Sequence, residues 1–316
     1  MVGKKVLVTG GSGYIGARLC LHLASEGYLV TALCHSKLPQ DENWISKMEH
    51  VLIGDIRDEV FLQDLAQNNF DIVIHLVSLD HKQSNGIPSF VGSVNIIPVW
   101  SMLDIFSKHG LKKFIYFSTA QVYGSLLDEI VREDYRLVTQ NAYGLTHHIG
   151  EVICEYYNRS STVDCRIIRL SNSYGAPVFS ENNCWWLVVN DLCSMAFAKK
   201  EIVLQSDGTQ LRDFIHGWDV CNGVQAVIET TMPYVTYNLN SGATFSIMEL
   251  AKKIKSVYAD RYGIELTISA AERKNTDMTV KYVLDNSQIL GIGFRPKWSL
   301  EDGINELFDY LEQKNE

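Results

Sequence analysis

Two clusters near the middle of the chain hold side chains able to move a proton. Ser118-Thr119-Ala120 sets two hydroxyls side by side, and Tyr143-Gly144-Leu145-Thr146-His147 puts a phenol four residues ahead of an imidazole. On a helix, positions four apart share a face, so Tyr143 and His147 belong to one surface. His148 lies about 100° further round the helix and meets a different neighbour. A phenol ionises near pH 10, so about a thousandth is phenolate at pH 7, a deficit of roughly 4 kcal/mol for work as a base. A fixed cation at position 147 would offset much of that deficit. An imidazole, with an ordinary pKa near 6.5, is largely neutral there and stabilises phenolate poorly.

Something must hold a reaction partner above these groups, and the N-terminus offers it. Val6-Leu7-Val8-Thr9 runs directly into Gly10-Gly11-Ser12-Gly13-Tyr14-Ile15-Gly16. The spacing of Gly10, Gly13 and Gly16, between a strand and an amphipathic helix, predicts a cradle for a dinucleotide pyrophosphate. There the backbone turns sharply and the N–H groups at the positive start of the helix, from Tyr14 and Ile15 on, meet the phosphates. A Cβ would obstruct that approach. A carboxylate ending the second strand would bind a free ribose 2′-hydroxyl and repel a 2′-phosphate. This chain has Cys34-His35-Ser36-Lys37 instead. His35, Ser36 and Lys37 therefore favour NADP over NAD; the alternative is a solvated loop, with NAD held by other contacts. Gly54-Asp55-Ile56 after the third strand suits an adenine, Asp55 accepting from its exocyclic amine, unless Asp55 caps the following helix.

Apolar runs at 4–9, 29–34, 50–53, 71–76, 113–118 and 163–170 alternate with helical patterns at 14–25, 60–67, 91–109 and 142–158. Strands apolar on both faces belong in a covered parallel sheet, so the fold expected is α/β, a doubly wound Rossmann-type sheet. Beyond Gly175-Ala176-Pro177 the regularity weakens. Residues 1–175 read as the dinucleotide-binding domain and 176–316 mainly as a smaller α+β substrate lobe, some segments returning to the large domain. The expected elements there include a helix over 184–198 and strands near 202–204 and 214–216.

The 316 residues carry a formal charge of -9, with 46% hydrophobic and 21% charged residues. That balance argues against a nucleic-acid or acidic-membrane partner. No signal peptide precedes the first strand, and no apolar run approaches the roughly 18 residues that span a bilayer, so a cytoplasmic protein is expected. Seven scattered cysteines without a C-x-x-C pair read as reduced thiols, with no metal site.

The stretches TGGSGYIG at 9–16, GDI at 54–56, FSTAQVYG at 117–124, YGLTH at 143–147, RLSNSYGAP at 169–177, DGTQLRDFIH at 207–216 and YNLNSG at 237–242 together resemble the extended short-chain dehydrogenase/reductase family, in its nucleotide-sugar epimerase/dehydratase branch. The resemblance spans nearly the whole chain. It implies hydride exchange with a nicotinamide at a sugar carbon, most readily C4. Thr119 would bond the reacting oxygen with Ser118 beside it, and Tyr143 would be the general acid/base. His147 stands where the family keeps lysine, which also binds the nicotinamide ribose. Val77 would lie beside the nicotinamide, in Leu76-Val77-Ser78 where the family has a small turn, and His81 would face the sugar. Asn172 and Arg212, with Arg273 and Asn190 as weaker candidates, would hold the nucleotide diphosphate. For Arg212 the bland alternative is an ion pair with Asp213; for Asn190 it is buried capping. Trp185 and Trp186 could shape the sugar cavity or simply pack. Dehydratases of the family carry an acidic pair after the threonine; Ala120 and Gln121 stand here, and neither protonates a leaving hydroxyl. A homodimer through the helices around 91–109 and 142–158 is also implied. Three readings of the His147 departure stay open: reduction with protonated Tyr143 as donor, an epimerase or dehydrogenase cycle assisted by His147 or His148, and binding of a dinucleotide without turnover. A reductase of a small carbonyl outside the nucleotide sugars is a further rival.

Overall fold

The computed structural model describes residues 3–124, 130–272 and 282–314. Its first half follows the predicted alternation: β1 (Lys5–Thr9), α1 (Tyr14–Ser25), β2 (Leu29–Cys34), α2 (Glu42–Ile45), β3 (His50–Ile53), α3 (Glu59–Ala66), β4 (Ile72–His75), α4 (Pro88–Asn95), α5 (Ile97–Ser107), β5 (Lys113–Thr119), β6 (Ile130–Val131), α6 (Ala142–Ser160) and β7 (Asp164–Leu170). The helix expected over 91–109 is two. Pro98, in the first turn of α5, cannot donate an N–H to a helix continuing through it, so the chain breaks at Ile96. By length and composition alone, Pro88–Ser107 taken together, with a mean hydropathy of 1.4 over its most apolar 18 residues, could cross a membrane, which corrects the reading that no such stretch exists; half of that window is buried within the fold.

The second half adds β8 (Asn172–Tyr174), α7 (Val188–Lys199), β9 (Glu201–Leu204), β10 (Leu211–His216), α8 (Gly217–Glu229), β11 (Thr236–Leu239), β12 (Thr244–Ser246), α9 (Ile247–Tyr262), β13 (Thr267–Ala270), β14 (Val283–Leu284), α10 (Ser287–Gly291) and α11 (Leu300–Gln313). The expected helix over 184–198 starts at Val188, leaving 182–187 as a turn.

Seven parallel strands form the main sheet in the order β11-β7-β5-β4-β1-β2-β3. Chain order reverses between β1 and β4, where open α/β sheets place their ligand crevice, at the carboxyl ends of the strands. Two apolar clusters cover the sheet. One holds Val6, Val8, Leu19 and Val224; the other holds Leu7, Val73, Phe106 and Ile153. A third core, with Leu192, Ile254 and Phe308, belongs to the smaller lobe around α7, α9 and α11. The outermost strand, β11, joins β7 from residues far beyond the crossover at 175.

Three side chains stitch the crossover to the glycine turn. The Tyr14 hydroxyl donates to the Gly175 carbonyl at 3.0 Å, Arg18 donates to the Ala176 carbonyl, and the Asn182 amide donates to the Ser12 carbonyl at 2.9 Å. All seven cysteines are free and buried.

Candidate active site

The glycine turn has the shape that a pyrophosphate requires. Gly10 adopts φ +71°, a backbone region that L side chains rarely enter, and a Cβ on Gly16 would stand 2.1 Å from the Gly10 carbonyl oxygen. Gly13 is the N-cap of α1 and no side chain caps that end, so the first N–H groups of the helix are not spent on a side chain. Val77 closes the other side, its Cγ2 at 3.3 Å from where a Gly10 Cβ would sit. These residues fit a dinucleotide. The Tyr14 side chain turns to the crossover, so only its backbone serves the cradle.

After β3, Asp55 does not cap a helix: Asp58 caps α3, accepting from Val60 and Phe61. Arg57 grips the Asp55 carboxylate from Nε at 2.9 Å, and this bond chiefly lowers the Asp55 pKa to about 2. His35 Nε2 lies 3.7 Å from the same carboxylate. His35, Ser36 and Lys37 are all exposed beyond β2, whereas Ile56 is buried.

Thr119 and Tyr143 converge at the carboxyl end of β5. The Thr119 and Ser78 hydroxyls are close enough to the Tyr143 hydroxyl to act on its ionisation. Burial pushes its phenol up to about 12; those two hydroxyls work against the rise, and the Asp80 carboxylate adds to it. α6 presents the phenol because Asn141 caps its first turn, accepting from Gly144 N at 2.8 Å. A Cβ on Gly144 would lie 2.8 Å from the Gln121 carbonyl oxygen, so the helix seats tightly behind the Thr119 loop.

His147 packs edge-on against Tyr143, ring centroids 4.4 Å apart. Its Nδ1 lies 3.3 Å from the Tyr116 hydroxyl, while its Nε2 is buried without a partner among the described residues. Burial depresses its pKa to about 4, offset in part by the Phe117 carbonyl, so the ring is neutral at pH 7. Beside it lies a second buried neutral imidazole that sequence reasoning missed. His75 bonds Thr9 at 2.9 Å, and burial first, then the neighbouring His147, lowers its pKa to about 3.

Ser118 is a correction. Successive strand side chains alternate faces, so with Thr119 turned into the site Ser118 turns away. Its hydroxyl donates to Glu151 Oε1 at 2.5 Å, and Glu151 in turn accepts two bonds from Arg169 in a buried ion pair. Asn190 takes the buried capping alternative: it is fully buried and bonds both backbone groups of Gly175, at 3.1 and 2.9 Å.

Arg212 and Asn172 lie on the paired strands β10 and β8 and are both exposed. Arg212 makes no ion pair with Asp213, whose buried carboxylate accepts from Ser171, Ser241 and Ala243. Its guanidinium donates instead to the Leu211 carbonyl, at 2.8 Å. Trp185 packs against Tyr310, while Trp186 is half exposed and donates to the Asn183 carbonyl. His81 lies exposed beside Tyr143, and Arg273 falls outside the described residues. Ser78 and Asp80, which flank the phenol, carried no signal in their types or spacing.

Comparison with known proteins agrees with this fold. The model of the NAD dependent epimerase/dehydratase family matches residues 6–239. The low-salt glycan biosynthesis protein Agl12 of Haloferax volcanii is 26% identical, over 96% of this chain and 97% of its own. Human dTDP-D-glucose 4,6-dehydratase is also 26% identical, over 98% of this chain and 90% of its own. The crystal structure of the Bacillus cereus UDP-glucuronic acid 4-epimerase, in complex with UDP-glucuronic acid and NAD, superposes with a TM-score of 0.80 at 26% identity, covering 98% of this chain and 99% of that one.

Proposed function

Since the chain belongs to the NAD dependent epimerase/dehydratase family, we propose that it exchanges a hydride between a nicotinamide cofactor and a carbon, C4 for preference, of a nucleotide-diphosphate sugar, with Tyr143 acting as a protonated acid. The observation that carries this is the un-ionised phenol beside Thr119, packed edge-on against a neutral imidazole in place of a cation. At neutral pH such a pair already stands in the protonated form that donation to a ketone oxygen needs, whereas taking a proton from an alcohol needs phenolate first. At neutral pH the reductive direction is therefore favoured, ahead of an epimerase cycle that must begin with phenolate.

The cofactor, when bound, supplies or accepts the hydride. The glycine turn and the open end of α1 hold its pyrophosphate, Asp55 and Ile56 its adenine, and Val77 flanks the ring. His147 Nε2 is the free polar atom able to bond the nicotinamide ribose. Thr119 holds the sugar oxygen, Tyr143 delivers the proton, and Asn172 and Arg212 bind the diphosphate. His35, Ser36 and Lys37, with no carboxylate among them, support NADP over NAD. The human relative's dehydration is not carried over, because Ala120 and Gln121 offer no acid for a leaving hydroxyl. Exposed Ile97 and Trp100 on α5, with Leu145, Val152 and Tyr156 on α6, form an apolar face suited to a homodimer.

The test is a panel of UDP-glucose, UDP-glucuronic acid, dTDP-glucose and their 4-keto forms, each with oxidised and reduced NAD and NADP. Wild type is expected to consume the reduced cofactor with a 4-keto form. Tyr143→Phe is expected to lose at least about a hundredfold in kcat while binding cofactor within twofold. Cofactor binding without conversion of any sugar nucleotide would instead support a non-catalytic dinucleotide-binding protein.

A further inference from the structure

Tyr143 stands between two imidazoles in opposite surroundings. His147, behind it, is buried, neutral, and occupied at Nδ1 by Tyr116. His81, in front, lies edge-on with ring centroids 6.4 Å apart, and is exposed to solvent. The loop around His81 is fixed by its own backbone. Asp80 Oδ1 accepts from Lys82 N and Gln83 N, both at 2.8 Å, and the Asn85 amide donates to the His81 carbonyl at 3.0 Å. The His81 ring itself makes no hydrogen bond among the described residues.

We infer that His81 is the group through which Tyr143 exchanges its proton with water. The inference rests on Tyr143 being the proton donor in a reduction. In that step the phenolic O–H bond breaks and an O–H bond forms on the sugar, the hydride coming from the reduced nicotinamide. The phenolate left behind must regain one proton per turnover. Protonated His81 gives it, directly or across one water, and the neutral imidazole collects another from solvent.

The other groups around the phenol cannot take this part. His147 holds no proton to spare at neutral pH and has no opening to water. Thr119 and Ser78 can pass a proton on but not supply one. The Asp80 carboxylate is engaged with two backbone N–H groups, and Lys82, the other charge on the loop, shows no contact with the phenol. Imidazole is the side chain whose ordinary titration spans neutral pH.

The experiment uses the full chain with the sugar nucleotide and cofactor that the panel above identifies. His81→Gln is expected to lower kcat of reduction about a hundredfold, with KM and cofactor affinity within twofold and a larger solvent isotope effect on kcat. In His81→Ala, added imidazole should restore kcat in proportion to its protonated form. As His81 is exposed, both variants should melt with the wild type. Unchanged kcat, or a loss that imidazole does not rescue, overturns the inference while leaving the Tyr143 reading intact. A wild type that reduces nothing in the panel overturns both.

Discussion

Replacing His147 with lysine tests the electrostatics of the site most directly. The Tyr143 phenol, pushed up to about 12, leaves about one molecule in 10⁵ as phenolate at pH 7, equivalent to roughly 7 kcal/mol. The His147 ring centre lies 4.4 Å from that of Tyr143. A unit cation at such a distance, with an effective dielectric near 20, stabilises a phenolate by about 4 kcal/mol, or close to three pKa units. Burial at position 147 would draw some of that back by lowering the new lysine's own pKa. His147→Lys should therefore speed alcohol oxidation at pH 7 by about 10² to 10³. The assay is the pH dependence of kcat for oxidation. Because phenolate is the active base, the wild-type rate should climb about tenfold per pH unit through the measurable range. The variant should level off near pH 9. In the reductive direction, where the protonated phenol acts, the Tyr143 contribution should stay flat below its pKa in the wild type. Parallel oxidative profiles in two proteins of equal cofactor affinity would refute the claim that residue 147 governs Tyr143.

Three further outcomes follow from the geometry. Lys37→Glu should weaken NADP binding at least about tenfold and leave NAD binding within twofold, measured by calorimetry on the apo protein. Glu151→Ala strands a buried Arg169 and should cost about 3–5 kcal/mol in urea unfolding, whereas Ser118→Ala, which leaves the ion pair whole, should cost much less and spare kcat. Trp100→Asp on the exposed face of α5 should give a monomer by light scattering if that face joins two copies.

Much of the fold was legible because each main-sheet strand before residue 171 is a short apolar run; β2, β3 and α1 lie at the very residues the pattern marks. The break between α4 and α5 was not read, because an apolar run hides a proline that can sit at a helix start as easily as in a loop. The site was legible wherever chemistry and spacing coincide locally, as at the glycine turn and along α6. Elsewhere the deciding facts are remote in sequence. Thr119 and Ser118 differ only in which face of β5 looks at Glu151, and Arg212 forms no ion pair with Asp213 because Ser171, Ser241 and Ala243 occupy that carboxylate. Neither relation follows from residue types alone. Asn190 illustrates the same limit, since an amide that could read a nucleotide instead completes a buried turn at Gly175.

The sheet's last strand comes from residues 236–239, after α7 and α8 have been laid down. A fragment ending at 175 would leave β7 with an unpaired row of backbone groups beside Ile167 and Ile168, an edge that invites other chains to pair with it. On a ribosome the same edge stays open until some sixty further residues have emerged. Truncation at the crossover should thus yield aggregate rather than an independent nucleotide-binding module, and a split version of this protein would need its cut placed after β11.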